Sequence, residues 1–153
     1  MTEFSQIYDV FFGKITDDMY LEWTKEDTEK DCRSMLINVI PNFEFPRVNL
    51  TYTENSFDAD LTAEEVNILA TLMVIEWLGR QINSIELTRM KYYGSDFKMT
   101  SQANHLSRLQ SAQSQNKLNA QHLQRLYRRR KPGETKTEAY KSNWSVFRKS
   151  ALD

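Results

Sequence analysis

Side chains that serve in acid–base and nucleophilic chemistry are concentrated in one short stretch of the sequence. Gly94 to Leu109 reads GSDFKMTSQANHLSRL and contains Ser95, Asp96, Lys98, Ser101 and His105. A nucleophile needs a base within reach, and the base needs a third group that orients it. If a helix begins near Thr100, Ser101 and His105 share a face, but Asp96 precedes the cap and no Gly-rich turn exposes a serine. We therefore predict no catalytic residues and no enzymatic activity.

The possible metal ligands are too scattered to form a metal site. His105 and His122 lie 17 residues apart, and Cys32, the only cysteine, is distant from both. A zinc site needs three or four suitably spaced ligands. The four glycines are isolated from one another, so no phosphate-binding loop is present either. The sequence predicts neither a metal nor a cofactor.

The densest charge cluster is RLYRRRK, over residues 125–131. It contributes Arg125, Arg128, Arg129, Arg130 and Lys131. Three interpretations stay open: a solvated helix end that the macrodipole favours, a contact with acidic surface on another copy of the chain, and a contact with nucleic-acid phosphate. Sequence-specific DNA binding is not expected, because the stretch lacks a base-reading motif and a series of interleaved stacking aromatics.

Helices of the N-terminal half are predicted from apolar spacing and from capping residues. A short first helix contains Phe4, Ile7, Tyr8 and Phe11 at helical spacing and ends at Gly13. A turn or two of helix with a Thr16 cap is expected next, and then a helix between a Thr24 cap and Pro41. Apolar residues alternate from Phe43 to Tyr52, which is typical of a short β-ribbon or an extended loop.

The strongest pattern predicts a long central helix. Thr62 and Glu65 form a capping box at its start, and Gly94 follows its last turn. A helix of roughly 30 residues is about 45 Å long. Because its residues between Ile68 and Leu78 are apolar on nearly all sides, we expect it to lie at the centre of the fold.

A polar helix is expected to follow, from a Ser95 or Thr100 cap to Lys131. One line of it keeps a heptad spacing and comprises Leu106, Leu109, Gln113, Asn116, Ala120, Leu123 and Tyr127. The ends of this line are apolar and its middle carries amides. We therefore expect the helix to pack at both ends and to face water or a polar channel in the middle.

Residues 132–153 differ from the rest of the chain and begin with a Pro-Gly pair. Tyr140, Trp144 and Phe147 stand there in a polar, charged context, so we predict an arm that docks on a partner; an arm that folds back on its own domain stays an alternative. The sequence thus divides into a helical domain, 1–131, and a docking arm, 132–153. The predicted fold class is mainly α: a helical bundle around one long helix, a short extended or β-ribbon segment and an extended C-terminal arm.

The two halves of the chain carry opposite charge, although the formal net charge is only −1. Residues 1–88 hold 17 of the 21 acidic and 6 of the 20 basic residues, a balance of −11, whereas residues 89–153 hold 4 acidic and 14 basic residues, a balance of +10. Either these poles neutralise each other within one subunit, or the acidic face of one copy meets the basic face of the next. The second contact is heterologous and closes into a ring or continues as a filament.

The compartment is indicated by the cysteine count and by the apolar runs. A single cysteine excludes an intrachain disulfide and fits a reducing compartment. The most apolar run, ILATLMVIEWLG, is shorter than the roughly 20 residues of a membrane span, and the acidic N-terminal sequence is unlike a signal peptide. We expect a soluble protein with no membrane partner.

The stretch LTAEEVNILATLMVIEWLGRQINSIELTRMKYYGSDFKMTSQANHLSRL, followed by a polar helix and a basic end, resembles the head–tail connector (adaptor) proteins of tailed bacteriophages. The resemblance covers roughly residues 24–131. It consists of an acidic-to-basic helical chain, a T-x-E-E opening of a long helix, a DFK…SQANHL junction and a protruding C-terminal arm. The extended segment 41–60 is longer than a minimal helical adaptor requires; it is either a loop that contacts an adjacent subunit or a sign that another neck protein is the better match.

The resemblance implies a structural virion protein that is made in the host cytoplasm and placed in the neck. Identical subunits, usually twelve, would form a ring beneath the portal protein, extend the DNA channel used in genome ejection and meet a tail or head-closure protein. Tyr140, Trp144 and Phe147 would reach the portal or a neighbouring subunit, and Arg128 to Lys131 would lie at the root of the arm. Non-specific contact with DNA in the channel stays open. The alternative function is a helical nucleic-acid-binding protein of DNA packaging or regulation.

Overall fold

The computed structural model describes residues 1–15, 22–91 and 96–130, with side chains except those of 88–102. Its elements, in chain order, are β1 (Thr2–Glu3), α1 (Phe4–Phe12), α2 (Lys25–Val39), a 3₁₀ turn (Ile40–Asn42), β2 (Tyr52–Thr53), β3 (Ser56–Phe57), α3 (Ala63–Lys91) and α4 (Asp96–Arg129). The predicted mainly α-helical fold is confirmed. The predicted turn at Thr16 and the arm, residues 132–153, lie outside the described residues.

The N-terminal residues form one side of the core. The four apolar residues that predict α1 are all buried, and α1 packs on α3. The expected ribbon is a three-stranded antiparallel sheet in the order β1-β3-β2, with Phe57 opposite both Thr2 and Tyr52. The tight β2–β3 turn places Glu54 at φ 44°, a left-handed conformation. β1 was missed because two residues carry no periodicity.

Helix α2 begins and packs as its sequence predicts. Thr24 caps it: the Thr24 Oγ1 accepts a hydrogen bond from the backbone N–H of Asp27 at 3.2 Å. The apolar face of α2 is buried and consists of Cys32, Met35, Leu36 and Val39. An ion pair between Asp31 and Arg80, 2.9 Å long, fixes the other side of α2 against α3.

Helix α3 is central, as predicted. The capping box is formed in both directions: Thr62 Oγ1 accepts from the Glu65 N–H at 3.3 Å, and Glu65 Oε2 accepts from the Thr62 N–H at 2.7 Å. Nearly every residue from Ile68 to Leu78 is buried, because α1, α2 and α4 surround this part of the helix. Within the described residues, no helix is long and apolar enough to cross a membrane.

Helix α4 lies antiparallel to α3, and the heptad line is its packed face. Every residue of that line, from Leu106 to Tyr127, is buried or half-buried. The expectation that its middle faces water or a channel is wrong for Gln113, whose Nε2 donates to the Ile75 carbonyl of α3 at 3.4 Å. Space for this amide exists because the facing residue is Gly79. The helix begins at Asp96, so Thr100 is an internal residue and not a cap.

Candidate subunit and partner interface

The predicted basic residues lie at the C-terminal end of α4, in two different environments. Arg125, Arg128 and Arg129 are exposed. Arg130 instead forms an ion pair of 2.8 Å with Glu64 at the beginning of α3, and its side chain is only 11% exposed. Arg130 is therefore committed to an internal contact and is not available for a partner. Lys131 lies outside the described residues.

A loop over residues 43–50, called here the 43–50 loop, covers the end of α4. The ring of the buried Phe43 packs edge-on against Tyr127, with centroids 5.3 Å apart. The Glu44 N–H donates to Gln124 Oε1 at 2.8 Å, and Gln124 Nε2 donates to the Asn42 carbonyl at 3.3 Å. A single glutamine side chain thus satisfies backbone groups on both sides of Phe43.

Arg47 of the same loop closes the C-terminal end of α4. Its guanidinium lies 4.1 Å from the centroid of the Tyr127 ring and donates to the backbone carbonyls of Tyr127 and Arg130. The last carbonyls of a helix lack partners within the helix, and a cation there also complements the macrodipole. Arg47 therefore fixes the point at which the chain leaves α4.

A buried hydrogen-bond network joins this end of α4 to the beginning of α3. The Tyr127 hydroxyl donates to Glu65 Oε1 at 2.5 Å and accepts from the Arg47 N–H at 2.9 Å. Tyr127 and Glu65 are each only 1% exposed. Burial, and then the bond to Glu65, raises the pKa of Tyr127 to about 12. The capping box, the 43–50 loop and the root of the predicted arm are consequently one connected unit.

An exposed aromatic side chain stands beside the free arginines. Phe45 is 56% exposed, and the Arg128 guanidinium lies 5.0 Å from its ring centroid. A depression of about 310 Å³ adjoins the pair and is lined by Glu44, Phe45, Gln121, Gln124, Arg125 and Arg128. We call Phe45, Arg125, Arg128 and Arg129 the basic patch. An aromatic ring and arginine side chains are the residue types that are enriched at protein interfaces.

A second depression lies on the acidic half of the chain. It is a groove of about 690 Å³ between the start of α1, the first half of α2 and the β2–β3 turn. Its charged lining consists of Glu3, Glu26, Glu29, Glu54, Lys30, Arg33 and the N-terminal ammonium of Met1, which pairs with Asp60. Lys30 pairs with Glu26 at 2.9 Å, and Arg33 donates to the backbone carbonyl of Glu54 at 3.1 Å. We call this depression the acidic groove.

Ion pairs between the acidic and the basic half can be compared for the described side chains alone. Among these, the one ion pair that joins residues 1–87 to residues 103–130 is Arg130–Glu64; the others lie within the first 87 residues. Arg108 and Lys117 are exposed on α4 like the arginines of the basic patch. The exposed arginines of the basic patch, with Arg108 and Lys117, are therefore the cations of the described α4 side chains that remain for a contact with another molecule.

Of the residues considered for chemistry, the two histidines and Cys32 have described side chains, whereas those of Ser95, Asp96, Lys98 and Ser101 lie outside the described residues. His105 and His122 are both exposed, 17 residues apart on α4. Within the described ranges, no group of three potential ligands is placed to hold a metal ion. Cys32 is fully buried, and burial raises the pKa of its thiol to about 12, so it is a core residue and not a nucleophile at neutral pH.

Sequence reasoning found the arginines but not the residues that organise them. Phe45, Arg47 and Glu64 were not singled out, although Arg47 is the only basic residue in the whole stretch 34–79. The isolation of this cation in the sequence is the one signal that could have indicated a specific structural role for Arg47. The docking residues Tyr140, Trp144 and Phe147 fall outside the described residues.

Comparison with known proteins gives no match: no family model, no curated protein and no solved structure is detectably similar to this chain. The function must therefore be inferred from the surfaces described above.

Proposed function

We propose that the protein is a structural virion protein: a ring-forming head–tail connector in the neck of a tailed bacteriophage. It would join the portal protein to a tail or head-closure protein and extend the DNA channel. The observation that carries the proposal is the exposed charge of the folded chain, which is basic on α4 and acidic around the groove; among the described side chains, one ion pair, Arg130–Glu64, joins the two halves. The resemblance of the sequence to connector proteins is the reason for placing this self-complementary surface in the neck of a phage.

The anchoring of α4 supports a role for the arm in docking. Arg47 holds the last carbonyls of α4, and Glu64 holds Arg130, so the chain leaves the domain from a fixed point. The arm begins two residues later with Pro132 and carries Tyr140, Trp144 and Phe147. An arm that starts from a rigid root and ends in aromatic side chains can insert those side chains into an apolar pocket of the portal.

Truncation after Lys131 tests the arm. We expect the truncated chain to retain its helical circular dichroism and its free energy of unfolding, because the truncation keeps every residue of the core found among residues 1–15, 22–91 and 96–130. We expect it to lose binding to the portal ring of the same phage in a sedimentation assay. A full-length triple variant, Tyr140→Ala, Trp144→Ala and Phe147→Ala, should lose binding equally. Normal portal binding by either chain contradicts the docking role.

A nucleic-acid-binding protein of DNA packaging or regulation is the second candidate. It is favoured by the absence of any acidic residue between Phe97 and Gly133, a stretch that contains eight cations. Duplex DNA affinity, measured by fluorescence anisotropy at several salt concentrations, separates the candidates. Several phosphate contacts would weaken the affinity by about 10³-fold or more between 50 and 200 mM salt. A connector subunit should bind duplex DNA weakly at both salt concentrations.

A further inference from the structure

We infer that the basic patch is the surface on which a second copy of this chain docks, and that the second copy offers its acidic groove. The contact deepens the proposed function, since it would be the joint between neighbouring subunits of the ring. It is also testable without a portal, because it requires only copies of this chain.

The composition of the basic patch favours a protein partner over nucleic acid. Phe45 is the most exposed aromatic side chain in the described residues, and the Arg128 guanidinium packs over its ring. Aromatic and arginine side chains supply a large part of the binding energy in protein interfaces. The carboxylate of Glu44 lines the same depression and would repel a phosphate group. A depression of about 310 Å³ has room for a side chain of the partner.

The charge of the acidic groove makes a second copy the matching partner. Four glutamates line the groove against Lys30, Arg33 and the N-terminal ammonium of Met1, so the groove is net negative where the patch is net positive. Lys30 is engaged with Glu26, and Arg33 with the carbonyl of Glu54, which leaves Glu3 and Glu29 to meet incoming arginines. Lys25 lies 3.7 Å from Glu29, but both side chains are more than half exposed, so this pair is weak and exchangeable.

The two surfaces lie at different places on the chain and share no lining residue. The groove lies at the first half of α2, whereas the patch lies beyond the last turn of α2, where the 43–50 loop meets α4. The 15 residues of α2 extend over about 22 Å at the standard rise. Each copy therefore presents both surfaces to other copies. Such a head-to-tail contact propagates, and it closes into a ring when the rotation between neighbouring copies allows closure.

Neutral variants of each surface test the inference. One chain carries Arg125→Gln and Arg128→Gln; the other carries Glu3→Gln and Glu29→Gln, the two acids of the groove that are left for the incoming arginines. We expect each variant alone to lose self-association by about tenfold or more in sedimentation velocity at low salt. An equimolar mixture should form a one-to-one heterodimer and stop there, because each pair retains one intact patch facing one intact groove and no further surface.

Matched control variants remove the same number of positive or negative charges outside the two surfaces. Arg108→Gln with Lys117→Gln alters exposed cations of α4 outside the patch, and Asp9→Asn with Glu86→Gln alters exposed acids outside the groove. Both chains should assemble like the wild type. Circular dichroism checks that all four variants are folded.

The inference is overturned if the wild-type chain stays monomeric at low salt, if the mixture yields no heterodimer, or if the matched variants lose association equally. It is also overturned if the arginine variant loses duplex DNA binding while self-association is unchanged. Failure of the connector function would look different: the wild type would assemble head-to-tail as expected but would not bind the portal.

Discussion

At the scale of single residues, the most consequential side chain is the buried carboxylate of Glu65. Its Oε2 closes the capping box of α3 and its Oε1 accepts from Tyr127, so one residue serves the beginning of one long helix and the end of the other. A buried carboxylate is stable only when its oxygens are hydrogen-bonded. Tyr127 is therefore a structural requirement for the surface that carries the basic patch.

Tyr127→Phe should lower the free energy of unfolding by about 1–3 kcal/mol, because it leaves the buried Glu65 Oε1 and the part-buried Arg47 N–H without their partner. Urea denaturation measures the change. Tyr52→Phe is the matched control, since Tyr52 is exposed and its hydroxyl makes no hydrogen bond among the described residues; it should change stability by no more than about 0.5 kcal/mol. Equal losses in both variants would contradict the network.

Cys32 predicts how stability depends on alkaline pH. Burial raises the pKa of its thiol to about 12 in the folded chain, whereas an unfolded cysteine ionises near pH 8.5. The folded state retains the proton that the unfolded state releases, so stability falls as pH rises from about 8.5 towards 12. Urea midpoints measured with a reductant should fall between pH 8 and 10, and less steeply for Cys32→Ala. Parallel curves for the two chains would contradict a buried, protonated thiol.

At the scale of elements, the long helices pair through a small residue facing an amide. A Cβ at Gly79 would lie 3.2 Å from Gln113 Nε2, the end of a flexible side chain. Gly79→Ala should stabilise the chain by up to about 1 kcal/mol, because the gain in helix propensity exceeds the cost of moving Gln113. The midpoint of thermal unfolding shows whether the substitution raises or lowers stability.

Gly79→Val extends this test of the helix pair. Its branched side chain should destabilise the protein, since it would displace α4 itself and not only the amide. If Gly79→Ala is already as destabilising as Gly79→Val, the α3–α4 interface is less able to adjust than the flexible Gln113 side chain implies.

The elements that the sequence predicted well are those that local signals determine. Thr24 and the Thr62–Glu65 capping box act within three or four residues, and the buried face of α1 follows from spacing alone. Contacts between distant residues were not predictable in this way. The 80 residues that separate Arg47 from Tyr127 carry no pattern that relates them, and the burial of Gln113 depends on a glycine in another helix.

At the scale of the whole molecule, the described chain is a pair of long antiparallel helices with a smaller body packed around the first of them. The exposed charges remain divided between the acidic body and the basic α4. We expect such a division to attract other copies of the chain, and the attraction to weaken as salt screens it. The boundary predicted between the domain and its arm, at residues 131 and 132, stays a prediction.

Native mass spectrometry of the full chain at low ionic strength is the most direct test of the central claim, that copies join head-to-tail into a closed ring. We predict one discrete assembly, with a mass about twelve times the 18.1 kDa of the chain, which dissociates as salt is raised. A monomer of 18.1 kDa at every salt concentration would contradict the account.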